Sequence, residues 1–172
     1  MSTHHNLIQS LAGGNGELIL EFFAKFSGFE CALKQAHFVK GDQYNNALPD
    51  WDRFADTLNG QLAGITDRDF INARSYLLQA PPKKQMFTKS DKTVRWEKNS
   101  KRSKESDERY LLRLVRDVRN NLFHGGKYQA EPEPVDGEAL RNCELLKACL
   151  TILDKCRSLN ADVGNFFEQA LR

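Results

Sequence analysis

A chain of 172 residues with 40% hydrophobic and 28% charged residues is sized for one domain, and 11 Phe, 4 Tyr and 2 Trp supply bulky core material. This composition excludes global disorder, and no run approaches the ~18–20 apolar residues of a membrane span. The net charge of +2 excludes nothing, but it is unevenly spread: residues 81–107 hold nine Lys and Arg against four Asp and Glu, a balance of +5 that leaves −3 elsewhere.

The opening MSTHHNLIQSLAGG lacks the cationic-then-apolar order of a secretory signal, so residues 1–15 read as an extension of a single domain spanning 1–172, with a cytoplasmic location expected. From Gly16 to about Lys40, Leu18, Phe22, Phe26, Phe29, Leu33 and Ala36 recur at three- and four-residue steps, which predicts a helix of about six turns. The segment GDQYNNALP reads as a turn ending at Pro49. Asp50 is positioned to cap a helix reaching about Ala63. The run TDRD from Thr66 starts another, which stops before Pro81-Pro82.

Residues 81–106 break the pattern and read as an irregular, partly mobile basic insertion. Within it, Met86-Phe87 and Val94-Arg95-Trp96 form either a short hairpin or isolated anchors. Helix resumes at Asp107 with a stripe of Leu111, Leu114, Val115, Val118 and Leu122, ending at Gly125-Gly126. The linker QAEPEPVDG leads to a helix from about Asp136 to Leu159, and Asn160 or Asp162 restarts a last short one carrying Phe166, Phe167 and Leu171. No strand pattern of comparable quality appears, so the expected fold is all-α, a bundle of about five or six helices. The cysteines, Cys31, Cys143, Cys149 and Cys156, form no CxxC pair and no zinc-finger spacing, so reduced thiols are expected, with no metal and no cofactor.

The chemistry concentrates in Arg119-Asn120-Asn121-Leu122-Phe123-His124-Gly125-Gly126. Five residues turn a helix by roughly 500°, which sets Arg119 and His124 about 140° apart, so they converge only if the histidine sits at or past the helix end. On the wheel Arg119 falls roughly 80° from Leu111, between apolar groups, which predicts a half-buried guanidinium in need of acceptors. Two readings fit this spacing: a structural arginine with a histidine C-cap, or a catalytic pair.

The pattern R-N-x-x-x-H near the end of a long helix in a helical chain resembles the HEPN superfamily, with Arg119, Asn120 and His124 at the motif positions. The likeness of architecture spans roughly residues 16–160; its specific part is residues 119–126. A weaker echo in FSGFECALKQAHF suggests Glu30 as an acidic residue approaching the motif, with Asn121 in support. The resemblance implies a metal-independent endoribonuclease acting as a homodimer on single-stranded RNA, of the toxin or antiphage-effector kind, with an antitoxin or regulatory protein as a further partner and no membrane. The alternative it implies is an inactive dimer that binds RNA or protein. In HEPN toxins silenced by nucleotide transfer a tyrosine follows the histidine by two residues; here Gly126 holds that place and the tyrosine is Tyr128. Lys83, Lys84, Arg95, Trp96 and Lys98 of the insertion are candidate RNA contacts, the bases for phosphates and Trp96 or Phe87 for stacking. A solvated lysine-rich loop is the competing reading.

Overall fold

The computed structural model describes residues 15–123 and 136–170, the side chains of 123 and 136–139 excepted. The expected N-terminal extension, the Gly125-Gly126 helix end and most of the proline-containing linker lie outside the described residues.

Among the described residues six helices form the body: α1 (Gly16–Gln35), α2 (Trp51–Thr57), α3 (Arg68–Gln79), α4 (Asp107–Phe123), α5 (Asp136–Ser158) and α6 (Ala161–Ala170). Two hairpins interrupt them, β1 (Val39–Gly41) with β2 (Ala47–Pro49), and β3 (Lys84–Thr88) with β4 (Thr93–Glu97). The fold is therefore mostly helical rather than all-α. Both hairpins were hard to see because their strands are short and largely exposed. Neither shows the long buried alternation that marks a sheet with one packed face.

Helix starts follow their caps. Asp50 accepts from the Arg53 amide at 3.3 Å, Asp67 from Phe70 at 2.9 Å and Asn160 from Val163 at 3.1 Å, each satisfying an orphan first-turn donor. Ends follow less visible devices. α1 stops at Gln35, five residues before the expected Lys40, because His37 adopts φ 66°. The Phe38 amide then donates to Leu33 O (2.8 Å) and the His37 amide to Lys34 O (3.2 Å), the Schellman closure without its usual glycine. α2 stops at Thr57 instead of Ala63; Gly60, at φ +76°, turns the chain into a short 3₁₀ turn, Leu62–Gly64.

One apolar core joins all six helices. α1 lies against α5 and α6, α5 against α3, and α2 against α4. At its centre the Trp51 ring stacks on Phe29 (centroids 5.2 Å, 11°) and Phe26 (5.4 Å, 29°), while Phe54 and Phe167 meet Phe29 edge-on. No residue of 83–98 belongs to that core. Where an irregular insertion was expected, residues 84–97 form a hairpin held from outside the core, paired Lys84↔Glu97 through Thr88↔Thr93. Among the described residues no helix is long and apolar enough to cross a membrane.

Candidate functional site

Helix α4 is the platform. Ser106 accepts from the Arg109 amide at its start, and acidic Asp107 and Glu108 occupy the first turn, where the helix dipole favours them. Leu111, Leu112, Leu114, Val115, Val118 and Leu122 are buried. Arg109, Arg113, Arg116 and Asn120 stand at i, i+4, i+7 and i+11, a polar stripe within roughly 60° of arc.

Arg113 organises what faces the stripe. Its guanidinium forks onto Glu105 (Nε–Oε1 2.7 Å, Nη2–Oε2 2.8 Å), donates to Asn99 Oδ1 (2.5 Å) and Ser100 O (3.0 Å), and lies over the Tyr110 ring at 5.0 Å. Asn99 in turn donates to Asp117 (2.7 Å), and its carbonyl accepts from the Tyr110 hydroxyl (3.0 Å). With side chains only 11% and 8% exposed, Arg113 and Glu105 form a desolvated pair. Hydrogen bonding from Arg113 holds the Glu105 carboxyl below its ordinary range against the opposing effect of burial, and Glu105 raises the arginine in return. This network straps residues 99–105 to α4. Near the helix start, Arg109 grips Asp56 of α2 through two bonds of 2.6 and 2.5 Å, which lowers that carboxyl.

Between α4 and the strapped segment lies a cleft of about 390 Å³. Helix α4 lines it with its polar stripe and Asp117, the insertion with Lys84, Arg102, Lys104 and Glu105, and α2 with Asp52. Six bases against three acids give a formal charge of +3. Glu105 and Asp117 are engaged with Arg113 and Asn99, while Asp52 is 4.0 Å from Arg116. Lys84 and Lys104 make no ion pair among the described residues; Glu97, across the ladder from Lys84, pairs instead with Arg95 at 2.7 Å.

Of the motif residues, Arg119 and Asn120 sit in the C-terminal part of α4. Arg119 is half-buried, as its wheel position requires, with the guanidinium carbon 5.7 Å from the Phe26 ring centroid and Nη1 donating to Asn120 Oδ1 at 3.2 Å. Asn120 is exposed and lines the cleft, so one side chain joins the arginine to it. Asn121 is turned elsewhere: its amide donates to Lys83 O at 2.7 Å, tying α4 to the root of the hairpin. Glu30 lies one turn beyond Phe26 on α1 and accepts from the Trp51 indole at 3.2 Å, which satisfies a buried donor. His124, Gly126 and Tyr128 lie outside the described residues.

The insertion residues separate by strand parity. Lys84 shares the face of Met86 and Arg95, whereas Phe87, Val94 and Trp96 share the other. Lys83 and Lys98 are exposed, Arg95 is exposed and paired with Glu97, and Trp96 is half-buried opposite Gln85. Lys84 alone of the five candidate RNA contacts lines the cleft. Sequence reasoning counted Arg102 and Lys104 within the basic stretch without singling them out, and missed Arg109 and Arg116, for which the stripe spacing along α4 was the signal.

Compared with family models, curated proteins and solved structures, the chain matches none.

Proposed function

We propose that the protein is a metal-independent endoribonuclease that cuts single-stranded RNA as a dimer through Arg119, Asn120 and His124. The observation that carries this reading is Arg119 itself. It is a half-buried guanidinium, seated on an aromatic ring, bonded to the Asn120 side chain and beside a cationic cleft. Seating on Phe26 fixes a side chain that would otherwise lose rotamer freedom on binding phosphate. The R-N-x-x-x-H resemblance supplies the rest of the reading.

In the proposed reaction His124 takes the proton from a ribose 2′-hydroxyl, work suited to an imidazole titrating near neutrality. The 2′-oxygen attacks the neighbouring phosphorus and the bond from phosphorus to the 5′-oxygen breaks. Arg119 stabilises charge on the phosphate oxygens, and Asn120 holds the guanidinium in register. A histidine of the second copy protonates the departing 5′-oxygen. The products end in a 2′,3′-cyclic phosphate and a 5′-hydroxyl, and the missing 2′-hydroxyl spares DNA. Unrestrained, such an enzyme would cut its own cell's transcripts, which fits a toxin or antiphage effector held by a partner protein.

The test is cleavage of a mixed RNA pool in EDTA by wild type, His124→Ala and Arg119→Ala, with folding and oligomeric state checked for each. Cyclic-phosphate ends from wild type alone are expected. Arg119→Lys should not restore activity, since a point charge cannot reproduce the planar fork of a guanidinium. Equal cleavage by all three proteins, or none by a folded wild-type dimer, overturns the reading.

A further inference from the structure

We infer that the cleft between α4 and residues 84–105 is a track for the phosphate backbone of single-stranded RNA, with Lys84, Arg102, Lys104 and Arg116 as its phosphate contacts. The identity of the polyanion rests on the ribonuclease reading above; the cationic track itself rests on the structure.

Three observations carry it. First, the charge is local and directed. Two of the three lining carboxylates are engaged inside the Arg113 network, so Lys84 and Lys104 line the cleft without an ion pair among the described residues. Second, the basic loop is built in place. The Arg113 fork to Glu105, with Asn99 and Ser100, fixes the chain on both sides of Arg102 and Lys104. A solvated lysine-rich loop needs no desolvated ion pair beneath it, and such a pair is costly unless its geometry is good. Third, the cleft leads to the motif. From Arg109 to Asn120 the stripe runs 11 residues, about 16 Å of helix, and ends on the side chain that bonds Arg119.

About 390 Å³ is at the low end of the ~300–1,000 Å³ typical of ligand sites, room for a short stretch of sugar-phosphate backbone. The lining is polar and rich in arginine, which suits phosphate oxygens through paired donors. The apolar hairpin face of Phe87 and Val94, 62% and 60% exposed, is on the opposite side of the ladder from Lys84 and takes no part in the track. Of the three lining carboxylates, Asp52 is the one outside the Arg113 network, 4.0 Å from Arg116.

The experiment measures binding apart from cleavage. Full-length protein carrying His124→Ala is titrated by fluorescence anisotropy with a labelled oligouridylate of about 12 nucleotides, across a series of salt concentrations. Lys84→Gln, Lys104→Gln and Arg116→Gln should each weaken binding and lower the salt slope by about 0.7, the value for one single-strand phosphate contact. Asp52→Asn should tighten binding, because it removes like charge and releases Arg116. The double variant Lys89→Gln/Lys92→Gln loses two charges at the hairpin tip and should bind as its parent does. At ~0.15 M salt such charges act over only about 8 Å. Circular dichroism confirms the fold of each variant. Unchanged affinity and slope in the triple variant Lys84→Gln/Lys104→Gln/Arg116→Gln overturn the track, as does tighter binding of polyglutamate than of RNA. If the cleft variants lose binding while wild type cuts no RNA, the track stands and the nuclease reading falls. If wild type cuts and the triple variant cuts and binds equally well, the nuclease stands and the track falls.

Discussion

Arg113 and Glu105 show how much one side-chain pair can settle. Arg113 leaves the core face of α4 by a single step of the wheel, and everything it bonds, from Asn99 to Glu105, is chain that would otherwise have little reason to lie against the helix. Because the carboxyl is held below its ordinary value in the folded protein, its ionised form contributes stability above the unfolded value and loses it as pH falls through the folded one. Glu105→Gln should therefore cost about 2 kcal/mol at neutral pH, the amide still accepting one bond where the carboxylate accepted two. The difference from wild type should close in strong acid, once pH has fallen through the folded carboxyl's value, below the ordinary glutamate range, so that the wild-type carboxyl is also protonated. Urea unfolding at the two pH values reads it. An equal difference at both would mean that the pair contributes hydrogen bonds and no charge. Glu30 teaches the opposite lesson at the same scale. The sequence suggested an acid approaching the motif, and its carboxylate serves the Trp51 indole, one aromatic stack away from Arg119.

At the scale of elements, what the sequence disclosed depended on whether the device had a chemical signature. Asp50 and Asn160 announce helix starts because a short oxygen-bearing side chain ahead of an apolar period has few other uses, and both cap as read; the start read from Thr66 is capped one residue later, by Asp67. The end of α1 carried no such mark, since the left-handed position that closes it holds His37 and not glycine. Its helical period ran to Ala36; Phe38, out of phase with that stripe, is buried by the closure itself and not by a further turn. His37→Gly should raise stability by about 0.5 kcal/mol. Relief of the left-handed conformation, ~1–2 kcal/mol, outweighs the ~0.5–1 kcal/mol of added freedom in the unfolded chain. A higher thermal midpoint with an unchanged denaturant slope checks it; a lower one would show that the imidazole makes contacts worth more than the strain. The hairpins were legible only in part, since strands three to five residues long, none of whose residues belongs to the apolar core, are too short for a period to stand out. The candidate site divides along the same line. Half-burial of Arg119 follows from its wheel angle, a local property. The cleft draws Asp52, residues 84–105 and α4 together across the fold, and no local signal encodes that meeting.

For the whole molecule, the contrast is between a shared aromatic core and a hairpin that contributes nothing to it. α1 and α2 supply the rings around Trp51, α6 adds Phe167, and α3, α4 and α5 close the rest, so the segments before Lys84 and after Glu97 are both committed to one hydrophobic unit. Of the hairpin, the root is fixed by the Asn121 bond to Lys83 O and by the Arg113 network just past β4, while the tip, residues 89–92, is exposed and carries Lys92 at φ 55°. Opening energy should then fall from core to root to tip, since local opening is cheapest where few apolar contacts are broken. Among the described residues, brief trypsin treatment of the native protein should cut first after Lys89 and Lys92. The two pieces should stay together on gel filtration with the helical signal intact, because the cut severs no core contact. Separation of the pieces, or loss of helix on nicking, would show that the ladder from Lys84 to Glu97 carries global stability. Retention of the fold with unchanged RNA affinity would place the work of the insertion in its root, at Lys84, Arg102 and Lys104, where the cleft lies.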